Sequence, residues 1–126
     1  MDHNIENLIG ILKKQAEVFL EDADEFYPFG AAFNRAGDVR PMGVFLENDH
    51  PQSVEVSGLL EKAIDQGLSN GDYEVAAICL DVFLSSGNNK ISAMEVRMFR
   101  KGIRVKKCYI HYYKKKGEYF FEDIDV

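Results

Sequence analysis

Cysteine is scarce: the 126-residue chain has two, Cys79 and Cys108, each inside an apolar stretch. A secreted disulfide scaffold carries a denser, even set, and a zinc site needs close Cys-x-x-Cys or His spacing. Both are excluded, and two buried thiols in a reducing cytoplasm are expected instead. Ten Gly and three Pro are too few for a collagen-like or low-complexity chain. No apolar run approaches the roughly 20 residues of a membrane-spanning helix. Asp2, Glu6 and the Lys13-Lys14 pair break the N-terminal apolar stretch that a signal peptide would need. Also missing are Gly-x-x-x-x-Gly-Lys-Ser/Thr, Gly-x-Gly-x-x-Gly, Gly-x-Ser-x-Gly and His-Glu-x-x-His, the spacings that build phosphate cradles, nucleophile elbows and zinc protease sites. The three histidines, His3, His50 and His111, are too scattered to hold a metal, and no cofactor is expected.

What is present is an ordinary globular composition, with 46% hydrophobic, 29% charged and 12% aromatic residues. That content excludes disorder. A chain of this length buries roughly two-thirds of its unfolded surface, enough to fold without a staple, and it fits one domain over residues 1–126. Net charge is −6, but residues 1–95 hold 17 acidic and 6 basic side chains, whereas 96–126 hold 4 and 9. The acidic majority repels phosphate and disfavours nucleic acid. The asymmetry suits an electrostatically steered protein partner.

Ile5, Leu8, Ile9, Leu12, Ala16, Phe19 and Leu20 recur at three- and four-residue spacing and predict a helix over 3–22, capped by Asp2 or Asn4. It runs into Glu21-Asp22-Ala23-Asp24-Glu25, four carboxylates that oppose the macrodipole. Either the helix stops early or the acidic cluster has a use. Pro28 keeps Phe26-Tyr27-Pro28-Phe29-Gly30 out of a helix. Two strands follow at 30–36 and 39–47, joined through Ala36-Gly37-Asp38. After a loop containing His50, a second helix is expected over 54–69, with Ser53 as N-cap and Asn70-Gly71 as its stop. The nearly continuous apolar run within 73–84 predicts a strand in the middle of a sheet, and 85–89 is a polar connection. Further strands are expected at 91–100, 103–113 and 118–124. The first of these alternates Met94, Val96 and Met98 against Glu95 and Arg97, and the second changes parity across Lys106-Lys107, which predicts a β-bulge or a change of which face is buried. This order predicts an α+β domain, an antiparallel sheet of five to six strands with both helices packed on one face. The element order resembles the profilin-like and roadblock-like folds, a likeness that implies strand order 2-1-5-4-3.

Three places stand out chemically. Asp81 interrupts the most apolar strand, where an unpaired carboxylate is expensive. It either faces solvent at the strand's end, pairs with Arg97, Arg104 or Lys106, or forms a ligand pocket with His111. His111 beside Cys108 or Asp81 would imitate a nucleophile constellation, although a hydrogen-bonded strand histidine explains it too. The segment from Arg100 to Lys116, with its lysines and Tyr109, Tyr112 and Tyr113, is a solvated edge that blocks aggregation, a protein-binding face, or a nucleic-acid surface. Glu21, Asp22, Asp24 and Glu25 form either a solvated helix end or a contact surface for a basic partner.

Glu25-Phe26-Tyr27-Pro28-Phe29-Gly30, followed by Gly37-Asp38, Gly71-Asp72-Tyr73 and Asp81-Val82, resembles a group of small uncharacterised bacterial proteins across about residues 18–113. Some of these resemble immunity proteins of polymorphic toxin systems, which neutralise a toxin by binding it. The Lys-rich turn and the last strand depart from that pattern. The resemblance implies a protein partner and brings no catalytic residues. The expected function is therefore a cytoplasmic, non-enzymatic protein-binding domain with no membrane association. Tyr27 and Phe29 are its aromatic anchors, and the acidic cluster steers a basic toxin. The alternatives are a small-molecule sensor or scaffold using Asp81 and His111, and an enzyme. Exposed edge strands would allow a homodimer.

Overall fold

A computed structural model describes residues 3–43, 53–101 and 103–124. The expected cap Asp2, the second strand's continuation over 44–47, His50, and the side chains of His3, of the expected caps Asn4 and Ser53, and of Ile103, Arg104 and Val105 lie outside the described residues. The elements are α1 (His3–Ala23), β1 (Phe29–Phe33), β2 (Val39–Met42), α2 (Ser53–Asn70), β3 (Val75–Ser86), β4 (Asn89–Arg100), β5 (Ile103–Lys115) and β6 (Glu118–Ile124). All six strands join one curled antiparallel sheet, which confirms the α+β fold class. Among the described residues, no helix is long and apolar enough to cross a membrane.

The sheet order is β2-β1-β3-β4-β5-β6, so the expected order 2-1-5-4-3 is corrected. The first hairpin docks on the start of the meander, not its end: Phe29 pairs with Cys79 and Phe33 with Val75. The path β2–α2–β3 therefore passes over β1, which lies antiparallel to both strands. Gly30 permits the close approach of β1 to β3, since a Cβ there would stand 2.6 Å from the Ala77 carbonyl oxygen. Gly71, at φ +87°, takes the left-handed conformation that ends α2.

The helices do not share a face. Side chains alternate along a strand, and Val75, Ala77 and Cys79 pack in the cluster of α1. Ala76, Ile78 and Leu80 pack with Val56, Leu60, Ile64 and Leu68 of α2. The apolar run of β3 is continuous because both of its faces are covered. α1 lies inside the curl, against β1, β3, β4 and β5, with Tyr119 and Phe121 of β6 at its flank. On the other side α2 packs over β1 and β3, with Phe99 of β4 and Met42 of β2 at the margin of that cluster.

Local expectations fared well elsewhere. Met94, Val96 and Met98 face α1, with Glu95 and Arg97 on the opposite side. The β4–β5 register shifts between Met98 and Phe99: Met98 pairs with Lys106 and Phe99 with Arg104, which puts the irregularity at Val105, next to the parity change. The stretch at 85–89 is shorter as a connection than expected, because β3 and β4 keep pairing out to Ser86 and Asn89.

Candidate functional site

α1 ends at Ala23 inside the mouth of the curled sheet, and residues 24–28 carry the chain across to β1. Asp24 adopts φ 61°, and its amide donates to the Leu20 carbonyl at 2.8 Å, closing the helix in the left-handed conformation that Asp tolerates better than most residues. This crossing segment, the end of α1 and the far ends of β3 and β5 enclose a cleft of roughly 580 Å³. Its lining includes Phe19, Asp22, Asp24, Glu25, Phe26, Tyr27, Phe29, Asp81, Phe83 and Tyr112.

The walls are aromatic. Phe19 and Phe26 each meet Phe29 edge-on, with centroids 5.2 and 5.5 Å apart, and Phe26 continues to Tyr112 at 6.4 Å. Three rings of the lining face solvent: Phe83 is 72% exposed, Tyr27 49% and Phe19 37%. These rings make the cleft the candidate contact surface. Phe29 is only 6% exposed. Its expected role as an anchor is corrected, because its place in β1 turns it into the core and makes it the cleft's floor.

Asp81 shares the α1 face with Cys79 and Phe83. The Tyr112 hydroxyl donates to its Oδ1 at 2.5 Å, and the Phe26 amide donates to Oδ2 at 3.3 Å. Among the described residues, no Lys or Arg makes an ion pair with it, and Arg97 lies on the other face; the expected cross-strand ion pair is corrected. Desolvation raises the Asp81 pKa, the Tyr112 and Phe26 hydrogen bonds oppose the rise, and Glu25 adds to it. Burial and the Asp81 bond also push the Tyr112 hydroxyl upward. Each carboxylate oxygen keeps acceptor capacity beyond its one donor.

The acidic cluster divides. Asp24 is engaged, accepting from the Tyr119 hydroxyl at 2.7 Å with Lys114 Nζ at 3.8 Å. Its bond is the leading reason that Tyr119 titrates at about 12. Glu21, Asp22 and Glu25 are exposed, and none has an ion-pair partner among the described residues. No basic residue occupies the last turn of α1, so the negative end of the helix dipole adds to these carboxylates.

His111 is not part of this site. It points to the side opposite Asp81 and Cys108, where its Nδ1 lies 2.8 Å from the Ser92 carbonyl and its ring is 5.2 Å from Tyr113. A carbonyl accepts, so Nδ1 carries the proton. The expected Asp81–His111 pocket and the imitation of a nucleophile pair are both corrected by strand parity. Cys79 is buried and Cys108 half-buried, both as free thiols. No cluster of His, Cys, Asp and Glu that could hold a metal occurs among the described residues.

Sequence reasoning missed Phe83, Tyr112 and Phe19 as members of the site. Phe83 and Asp81 have the same parity on β3, and Tyr112 has that of Ile110 on β5, so a correct register would have brought all three to one end. It also missed the network on the α2 side. Arg97 donates to Glu95 at 2.6 Å and to Glu61 at 3.1 Å, Tyr109 donates to Glu95 at 3.0 Å, and Lys107 lies 3.4 Å from it. The basic segment 100–116 is thus partly engaged in internal contacts. The chain matches no protein-family model, no curated protein and no solved structure.

Proposed function

We propose that this chain is a non-enzymatic, protein-binding domain that engages a basic partner across the cleft at the end of α1. The observation that carries the reading is the exposure of Phe19, Tyr27 and Phe83 in a cleft also lined by Asp22, Asp24 and Glu25. Aromatic side chains are enriched at interface cores and among the few residues that dominate binding energy. Of the carboxylates around them, Asp22 and Glu25 have no ion-pair partner among the described residues, and such charges steer a positively charged surface and repel a negative one. The finer form of the reading is neutralisation of a basic toxin in a bacterial cytoplasm. It is supported by the resemblance of Glu25-Phe26-Tyr27-Pro28-Phe29-Gly30 to proteins of which some resemble immunity components.

The test is affinity capture with the tagged wild-type chain and with a Tyr27→Ala, Glu25→Lys double variant. Any captured protein is then purified and its binding measured again at low and raised salt. A partner with a basic surface, held at least tenfold less tightly by the variant and weakened by salt, is expected. Equal binding to both chains, or a partner insensitive to salt, would sink the reading.

A further inference from the structure

The cleft has more chemistry than a docking patch needs. Its wall is a chain of four rings, Phe19, Phe29, Phe26 and Tyr112, in successive contact. At its inner end stands a half-buried carboxylate fixed from both sides, by the Tyr112 hydroxyl and the Phe26 amide. Both donors are neutral. Asp81 is therefore oriented without being neutralised, and among the described residues nothing supplies a positive charge to it. Phe83 and Tyr27 stand exposed on the same cleft, so the carboxylate is approached between aromatic rings.

A cation meets two attractions in such a place. Aromatic faces draw it through the ring quadrupole, and a carboxylate with spare acceptor capacity takes its N–H groups. A planar guanidinium uses both at once, stacking flat on a ring while it presents paired donors to the carboxylate. An ammonium is more strongly hydrated and has no flat face to stack. We infer that the cleft is a guanidinium-recognition pocket in which Asp81, held by Tyr112 and Phe26, receives an arginine side chain between aromatic walls. The inference deepens the protein-binding reading and rests on it only for the source of the arginine.

The test is a titration of the 126-residue, isotope-labelled chain with N-butylguanidinium, N-butylammonium and the neutral isostere N-butylurea, observed by amide NMR. The Phe26 amide donates to Asp81, so it reports on the carboxylate directly. N-butylguanidinium is expected to shift that amide saturably, at least tenfold more tightly than N-butylurea. Asp81→Asn should reduce the affinity at least tenfold, and the neutral isostere keeps the test valid if that variant fails to fold. Equal binding of N-butylurea, equal or tighter binding of N-butylammonium, or no saturable shift overturns the inference. If the shift is absent while partner capture is still lost in the Tyr27→Ala, Glu25→Lys variant, the inference falls and the protein-binding reading stands. If the shift is present but no basic partner is captured, the reading falls and the pocket stands.

Discussion

Asp81 and Glu95 both interrupt apolar strands of the same sheet, and the molecule treats them in opposite ways. Glu95, on the α2 side, is 7% exposed and meets two cations and a phenol: Arg97, Lys107 and Tyr109. Burial alone would raise its pKa, but the Arg97 and Tyr109 hydrogen bonds and the nearby charges bring it below the ordinary glutamate value. Asp81, on the α1 side, is met among the described residues by a phenol and a backbone amide and no cation, and burial wins. One carboxylate is part of a completed ion network, so it is accounted for by stability. The other is desolvated, oriented and left without a cation at the inner end of a cleft, which stability alone does not explain.

Removing a cation from the completed network should do the most damage. Arg97→Met leaves Glu95 and Glu61 facing each other without their shared donor. Because Arg97 retains some solvent contact, a loss of about 2–3 kcal/mol is expected, below that of a fully buried pair. It should appear as a lower urea midpoint with an unchanged slope. Tyr112→Phe removes the hydroxyl that crosses β4 to reach Asp81, and about 1.5 kcal/mol should be lost, in the range of hydrogen bonds to charged groups. Asp81→Asn should change stability at neutral pH by less than about 1 kcal/mol, in either direction, because a desolvated charge leaves together with an imperfectly kept hydrogen bond.

pH sharpens the contrast, because the two shifts have opposite signs. The pKa of Glu95 is lowered on folding, so its stabilisation is fully present above the ordinary glutamate value near 4.3 and fades as pH falls through its folded value. Asp81 is raised, so folding is favoured most below the ordinary aspartate value near 3.9, and its ionisation costs stability as pH rises through its folded value. Urea unfolding of Glu95→Gln across acidic and neutral pH should show its deficit shrinking toward acid. The same series for Asp81→Asn should show its relative stability improving toward neutral. Parallel curves for the two variants would remove the distinction drawn here. The smallest effect concerns the engaged end of the acidic cluster. Asp24→Asn should bring the Tyr119 titration down from about 12 toward the ordinary tyrosine value near 10, as read by ultraviolet absorbance.

The elements were legible in the sequence because periodicity is local. The Ile5–Leu20 stripe, the Val75–Leu80 run and the alternation around Met94–Met98 each report which side of one element is covered. The arrangement of elements was not, because a pattern does not say which strand lies next to which. The run in β3 did imply two covered faces. An arrangement with both helices on one side left nothing to cover Ala76, Ile78 and Leu80, and that conflict was readable without coordinates. The site was half legible for the same reason. Tyr27, the carboxylates and Asp81 are conspicuous residue types, whereas Phe83 and Tyr112 become part of the site only through the register of β3 against β4 and β5. Phe29 looked like an anchor because aromatic residues in a Pro-containing stretch resemble a loop, and its place in a central strand decided otherwise.

The path of β2 over β1 into β3 has a kinetic corollary. From β3 onward the strands are joined by tight hairpins, so each can zip onto the one before with little loop closure. β1 has no such advantage. Its partner on one side, β3, arrives only after a whole helix, as the pairing of Phe33 with Val75 requires. Until that distant pairing closes, the most apolar strand in the molecule is an open border of a four-stranded meander. Among all the segments, Val75–Leu80 is therefore the one for which slow assembly most invites association between chains.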